Sequence, residues 1–163
     1  MEHVIIVHFH ELSLKGKNRS WFEKILLKNI KRHLSNLPYK RTRILFGRIV
    51  IENINISLWD EYNRVLSDLI GIRNFILALQ APLDIDQIKK VSLKVCKSEN
   101  IVGSFRVSAR RQNKNFIYTS QDINQIVGEH IQKDTGWEVN LTSPTIDILI
   151  EIVNETSFIG TKK

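Results

Sequence analysis

The 163 residues are 42% hydrophobic and 25% charged, enough to bury the core of one medium domain or two small ones. Lys and Arg number 24 against 17 Asp and Glu, and the net charge of +7 favours a polyanionic partner. No apolar run approaches the roughly 18–20 residues of a membrane-spanning helix, and Cys96, the one cysteine, excludes an internal disulfide and a paired-cysteine metal site.

The opening MEHVIIVHFH lacks the basic and small-residue regions of a signal peptide. The expectation is a cytoplasmic protein that does not associate with membranes. Residues 4–9, VIIVHF, read as a buried strand, followed by the polar connection HELSLKGKNR with Gly16 as its flexible joint. Over residues 19–36 the spacing predicts a helix. Phe22, Ile25, Leu26 and Ile30 share one face, and Lys24, Lys28, Lys31 and Arg32 share another. TRILF and RIVIEN flank Gly47 as a hairpin. Residues 57–70 predict a second helix with Leu58, Tyr62, Val65, Leu66 and Leu69 on its apolar side, ended by Gly71. NFILALQA is the fourth strand. The order β-α-β-β-α-β is ferredoxin-like.

Pro82 marks the expected boundary, with domains at residues 1–81 and 82–163 joined by a limited linker and each built on its own sheet. Asp84 with Gln87 suits the start of a helix over 85–98. FRVSARR then alternates as a strand, with Phe105, Val107 and Ala109 on one side and Arg106, Ser108 and Arg110 on the other. Thr119 and Asp122 have capping-box spacing and open a helix through Ile123, Ile126, Val127 and Ile131. After Gly136, the segments WEVNL, TIDILIEIV and SFIGT predict three short strands, so the second half reads αβαβββ. The fold class is α+β, an α/β sandwich.

Charge is unevenly spread. Between Lys15 and Arg48 there are eleven basic residues and one acid, Glu23. A basic face so concentrated signals nucleic acid, with Lys15, Lys17, Arg19, Lys24, Lys28, Lys31 and Arg32, beside Arg41, Arg43 and Arg48, as phosphate-tracking candidates. No acid lies between Glu99 and Asp122, so Arg106, Arg110, Arg111 and Lys114 read as locally uncompensated cations. Tyr118 is a candidate for stacking on an unpaired base, while Phe116 reads as core. His8 and His10 lie two apart on a strand, but Glu11 points the other way, so no metal site is predicted. Cys96 reads as a small buried hydrophobe. Gly128, inside a helix, costs about 1 kcal/mol relative to Ala, and suggests close packing or approach of an RNA backbone.

Two motifs resemble a known family. FRVSARRQNKNFIYTSQDINQIVGEHI, followed by VNLTSPTIDILIEI, resembles a THUMP domain, the RNA-binding module of several tRNA-modifying enzymes. The residues that carry the likeness are Phe105, Val107, Arg110, Arg111, Phe116, Ser120, Val127 and Gly128. HELSLKGKNRSWFEKILLKNI resembles the start of the tRNA 4-thiouridine synthetases (tRNA sulfurtransferases of the thiamine-biosynthesis type) through Glu11, Leu14, Lys15, Gly16, Asn18, Arg19, Phe22 and Glu23. His10 stands where that family usually has Gly.

The resemblance implies a ferredoxin-like domain followed by a THUMP domain that binds tRNA at its acceptor stem and 3′ end. It also implies an ATP-pyrophosphatase domain, using ATP and magnesium, whose Ser-Gly-Gly-x-Asp-Ser loop does not occur in this sequence. The expectation is a noncatalytic RNA-binding module, with no cofactor of its own, serving a catalytic domain in cis or in trans. Two alternatives stand beside it. One is a free-standing THUMP adaptor for another tRNA-modifying enzyme, such as a methyltransferase or deaminase. The other is a small RNA hydrolase using His8, His10 and Glu11.

Overall fold

The computed structural model describes residues 1–10, 17–100 and 102–162, and of Lys17 the backbone alone. The chain divides into two compact units, Glu2–Leu77 and Ala78–Lys163.

The first unit contains β1 (His3–Phe9), α1 (Lys17–His33), β2 (Arg41–Leu45), β3 (Arg48–Glu52), α2 (Trp59–Ser67) and the start of β4 (Ile72–Pro82). Both β1 and β2 run antiparallel to β3, with Ile5 and Thr42 each opposite Ile51. The strand order is β2-β3-β1-β4. The helices meet the sheet through Ile5, Val7, Phe9, Ile49 and Ile51, which alternate with period two. Facing them are Leu26, Ile30 and Leu34 from α1 and its end, and Tyr62 and Leu66 from α2. Tyr62 is fully buried without leaving its hydroxyl orphaned, because the group donates to the Pro38 carbonyl and accepts from the Asn55 amide. The β2–β3 hairpin turns on two residues, Phe46 and Gly47, both at positive φ. This is the backbone that matches the twist of a two-residue hairpin.

The second unit contains the end of β4, α3 (Ile85–Ser98), β5 (Phe105–Arg111), α4 (Ser120–Thr135), β6 (Ile146–Val153) and β7 (Thr156–Lys162). Its strand order is β4-β7-β6-β5. β5 and β6 are parallel, joined by α4 as a crossover, while β7 is antiparallel to both β6 and β4. Ile146, Ile148, Ile150 and Ile152 of β6 pack with Ile88, Val91 and Val95 of α3 and Ile123, Val127 and Ile131 of α4. Thr119 and Asp122 form the expected capping box, at 2.9 and 3.1 Å. Asp84 caps α3 by accepting from the Gln87 amide at 2.9 Å.

The fold class and helix positions follow the sequence reading; several expectations are corrected. WEVNL is not a strand. It makes a single bridge, Val139 to Phe105, through the Phe105 amide to Glu138 and the Asn140 amide to the Phe105 carbonyl. The Asn140 side chain then accepts from the Thr142 and Ser143 amides and turns the chain away. Nor is there a linker near Pro82, or a separate sheet for each unit, since β4 belongs to both strand orders. β4 runs unbroken from Ile72 to Pro82, the two compact units divide inside it between Leu77 and Ala78, and each counts it among its strands.

Gly128 also differs from expectation, because a Cβ built there meets nothing within 4 Å. Close packing does not explain the glycine. Gly128→Ala is therefore expected to raise stability by about 1 kcal/mol through helix propensity alone. Urea unfolding of the two proteins checks this, and a destabilised variant would reveal a hidden steric demand at this turn of α4.

Candidate nucleic-acid interface

The basic face of α1 is created by what the helix buries. Phe22, Leu26 and Ile30 turn inward, and the Phe22 ring lies 5.9 Å from that of Phe9. The opposite side must then carry Lys24, Lys28, Lys31 and Arg32, all exposed. Glu23, the only acid of α1, is engaged by Arg19 at 3.1 Å. Among the described residues the four exposed cations have no ion pair. Lys31 and Arg32 gain from the helix C-terminus. Lys24 and Lys28 sit mid-helix, where like charges four apart are mildly destabilising. Lys15 and the Lys17 side chain lie outside the described residues. Ile25, expected on the buried side, is 39% exposed.

Other cations of this unit have structural work. Arg41 and Arg43 both grip Glu52, which is 3% exposed; Arg43 does so at 2.6 Å, and the Glu52 hydrogen bond and charge raise the Arg41 pKa. They tie β2 to β3. Arg48 donates to the Phe46 carbonyl at 2.9 Å, holding the hairpin turn.

In the second unit the predicted cluster separates into distinct roles. Arg106 is not uncompensated: its guanidinium pairs with Asp147 on the neighbouring strand at 2.6 Å and donates to the Leu141 carbonyl at 2.9 Å. The sequence reading looked only for nearby acids, and Asp147 reaches Arg106 through the parallel pairing of β5 with β6. Arg111 is half-buried and donates to the Phe116 carbonyl. Its charge also helps hold Asp122 below the usual carboxylate range, after the stronger effect of the hydrogen bonds with Thr119. Arg110 and Lys114 are exposed and carry no ion pair among the described residues. Tyr118 is half-buried, edge-on to Phe116 at 5.5 Å, and both rings pack against the core.

The turn carrying Lys114 is held in place. The Gln112 amide donates to Ile152, its side chain accepts from the Asn154 amide, and Asn113 donates to the Asn154 carbonyl, all at 2.8–3.0 Å. Lys114 is thus presented from a braced turn and Arg110 from the end of β5, which lowers the entropy lost on binding an anion.

Two domain models match in tandem. A ThiI ferredoxin-like domain matches residues 4–75, and a THUMP domain matches residues 83–162. A probable tRNA sulfurtransferase of Moorella thermoacetica is 36% identical over 95% of this chain and 39% of its own length. That of Natranaerobius thermophilus is 35% identical over 100% and 41%. The chain consists of a ThiI ferredoxin-like domain followed by a THUMP domain. It spans about two fifths of the length of these curated relatives. Among solved structures, PH1313 from Pyrococcus horikoshii superposes with a TM-score of 0.88 at 33% identity, covering 98% of this chain and 54% of that one. A 4-thiouridine synthetase crystallised with RNA and bound ATP gives 0.83 at 28% identity, covering 99% and 41%.

Of the residues weighed for a hydrolytic centre, His8 and His10 are described. His8 Nδ1 lies 2.7 Å from Asn74 Oδ1, and His10 is exposed with its amide bonded to the Gly71 carbonyl. Glu11 lies outside the described residues. Among the described residues no three His, Cys, Asp or Glu gather as metal ligands, and no helix is long and apolar enough to cross a membrane. Cys96 is fully buried, and burial, then the Glu99 carboxylate, push its thiol up to about 11.

A buried thiol of that kind has two consequences. A disulfide reagent should modify Cys96 far more slowly in the folded chain than in urea. The unfolded thiol ionises near ~8.5, so Cys96 contributes its full stability below that pH and loses it as pH rises through about 11. Cys96→Ala should flatten the alkaline fall in stability. Identical curves for the two proteins between pH 8 and 11 would contradict it.

Proposed function

We propose that this chain is the noncatalytic tRNA-binding part of a 4-thiouridine synthetase. It holds the acceptor stem and 3′ end of tRNA for an ATP-pyrophosphatase-type domain whose phosphate loop is not in this sequence, acting in cis or in trans. ATP and magnesium belong to that domain's chemistry. The observation that carries the reading is the α1 face, where Lys24, Lys28, Lys31 and Arg32 stand exposed without an acidic partner among the described residues. Such a face attracts RNA by releasing condensed counterions, and lysines act there as point charges that track phosphates rather than read bases. The THUMP match and the likeness to a synthetase crystallised with RNA support the same reading.

Reversing Lys24, Lys28 and Arg32 together to Glu should weaken binding to tRNA and to unrelated RNA alike, by at least about tenfold near physiological salt, and flatten the slope of affinity against salt. Fluorescence anisotropy with labelled RNAs at several salt concentrations measures both. Unchanged affinity in the folded triple variant would remove α1 from the interface.

Arg110 and Lys114 suit a second, end-directed contact, since neither side chain holds the turn together. Removing the unpaired 3′ nucleotides from a tRNA should cost affinity in the wild type and much less in an Arg110→Ala/Lys114→Ala variant, because both changes delete one shared interaction. Additive losses would assign these two cations to solvent.

A further inference from the structure

Trp21 stands at the N-terminal end of the basic face of α1, and neither charge patterning nor family motif accounts for it. Its side is opposite Phe22, Leu26 and Ile30, and it is 65% exposed. Lys24 and Ile25 follow at three and four residues, its neighbours one turn on, and Lys28 stands one turn beyond them. Ile25 is itself 39% exposed, giving the ring an apolar floor beside it. Trp59, by contrast, packs against Phe75 at 6.1 Å, and Trp137 packs on the second core. Trp21 makes no ring contact among the described residues. A scattered surface Leu needs no explanation, but a large aromatic at the head of a row of cations presents a stacking face beside a field that concentrates polyanions.

We infer that Trp21 is a stacking platform for an unpaired nucleobase of RNA, with Lys24 and then Lys28 holding the phosphates that lead from that nucleotide toward the C-terminal end of α1. The inference rests on the RNA-binding reading above and adds to it a specific contact in the ferredoxin-like unit. Charge complementarity selects the occupant. Lys24, Lys28, Lys31 and Arg32 continue the same face toward the helix C-terminus with no ion pair among the described residues, so an apolar protein surface would have to desolvate these charges, whereas RNA brings a base plane and phosphates together. The sugar-phosphate contacts are salt-dependent and the stack is not, which gives the two components separable signatures.

The test uses the 163-residue chain and two labelled RNAs, a hairpin stem with a single-stranded tail and the same stem with a blunt end. Trp21→Ala should weaken binding of the tailed RNA roughly tenfold, leave the salt slope unchanged, and change blunt-stem binding little. Trp21→Phe should restore most of the loss. Because Trp21 is outside the core, circular dichroism and urea unfolding should match wild type. Wild-type binding to tailed RNA that is indifferent to Trp21→Ala overturns the platform while leaving the proposed function standing. Absence of RNA binding by the wild type defeats both. Sedimentation that shows a dimer in the wild type and a monomer in Trp21→Ala assigns the ring to contacts between copies and also overturns the inference.

Discussion

The seating of α1 on its sheet governs most of what the first unit can do. Phe22, Leu26 and Ile30 enter the core beside Phe9, Ile5 and Ile49, and this fixes the rotation of the helix about its axis. Burying each such side chain contributes about 1.5–3 kcal/mol, far more than the few tenths lost to each pair of neighbouring like charges on the far side. The helix therefore tolerates a single-sign outer face, and that face has one possible direction. Gly71 belongs to the same arrangement. It lies at φ +98°, and a Cβ there would come within 3.1 Å of the Phe22 ring. The strand after α2 can pass close to α1 because this residue is glycine.

Much of the architecture was legible in the sequence because local signals agreed with one another. The spacing of Phe22, Leu26 and Ile30, the caps at Asp84 and Thr119, and the alternation in β6 each specify one element with one orientation. WEVNL misled for a physical reason. Trp137, Val139 and Leu141 alternate as a strand should, but the Asn140 carboxamide competes for backbone amides and stops the ladder after one bridge. Ile25 misled because it sits at the margin of the apolar stripe, where a one-residue difference in helix phase decides exposure.

The candidate interface was only partly legible. Basic residues are visible in any sequence, but their partners are not. Glu52 takes Arg41 and Arg43 out of contention, and Asp147, forty-one residues from Arg106, takes Arg106. Parallel strand pairing makes that last contact, and no local window contains it. The reverse holds for Trp21. Its position opposite Phe22, Leu26 and Ile30 can be drawn on a helical wheel, yet an aromatic in a helix is ordinarily assigned to the core, and only its exposure separates it from Trp59.

β4 has a consequence for where this protein can be cut. The THUMP match begins at residue 83, yet the compact second unit begins at Ala78, and Ala78–Pro82 pairs with β7 residue by residue from Gly160 back to Thr156. The buried Ser157 hydroxyl donates to the Ala81 and Pro82 carbonyls across the same seam. A polypeptide started at residue 83 would keep every motif residue and lose this pairing. The amides and carbonyls along that side of β7 would become an open edge able to recruit strands from other molecules. For this module, the border drawn by sequence likeness and the border that keeps the pairing of β4 with β7 are different places.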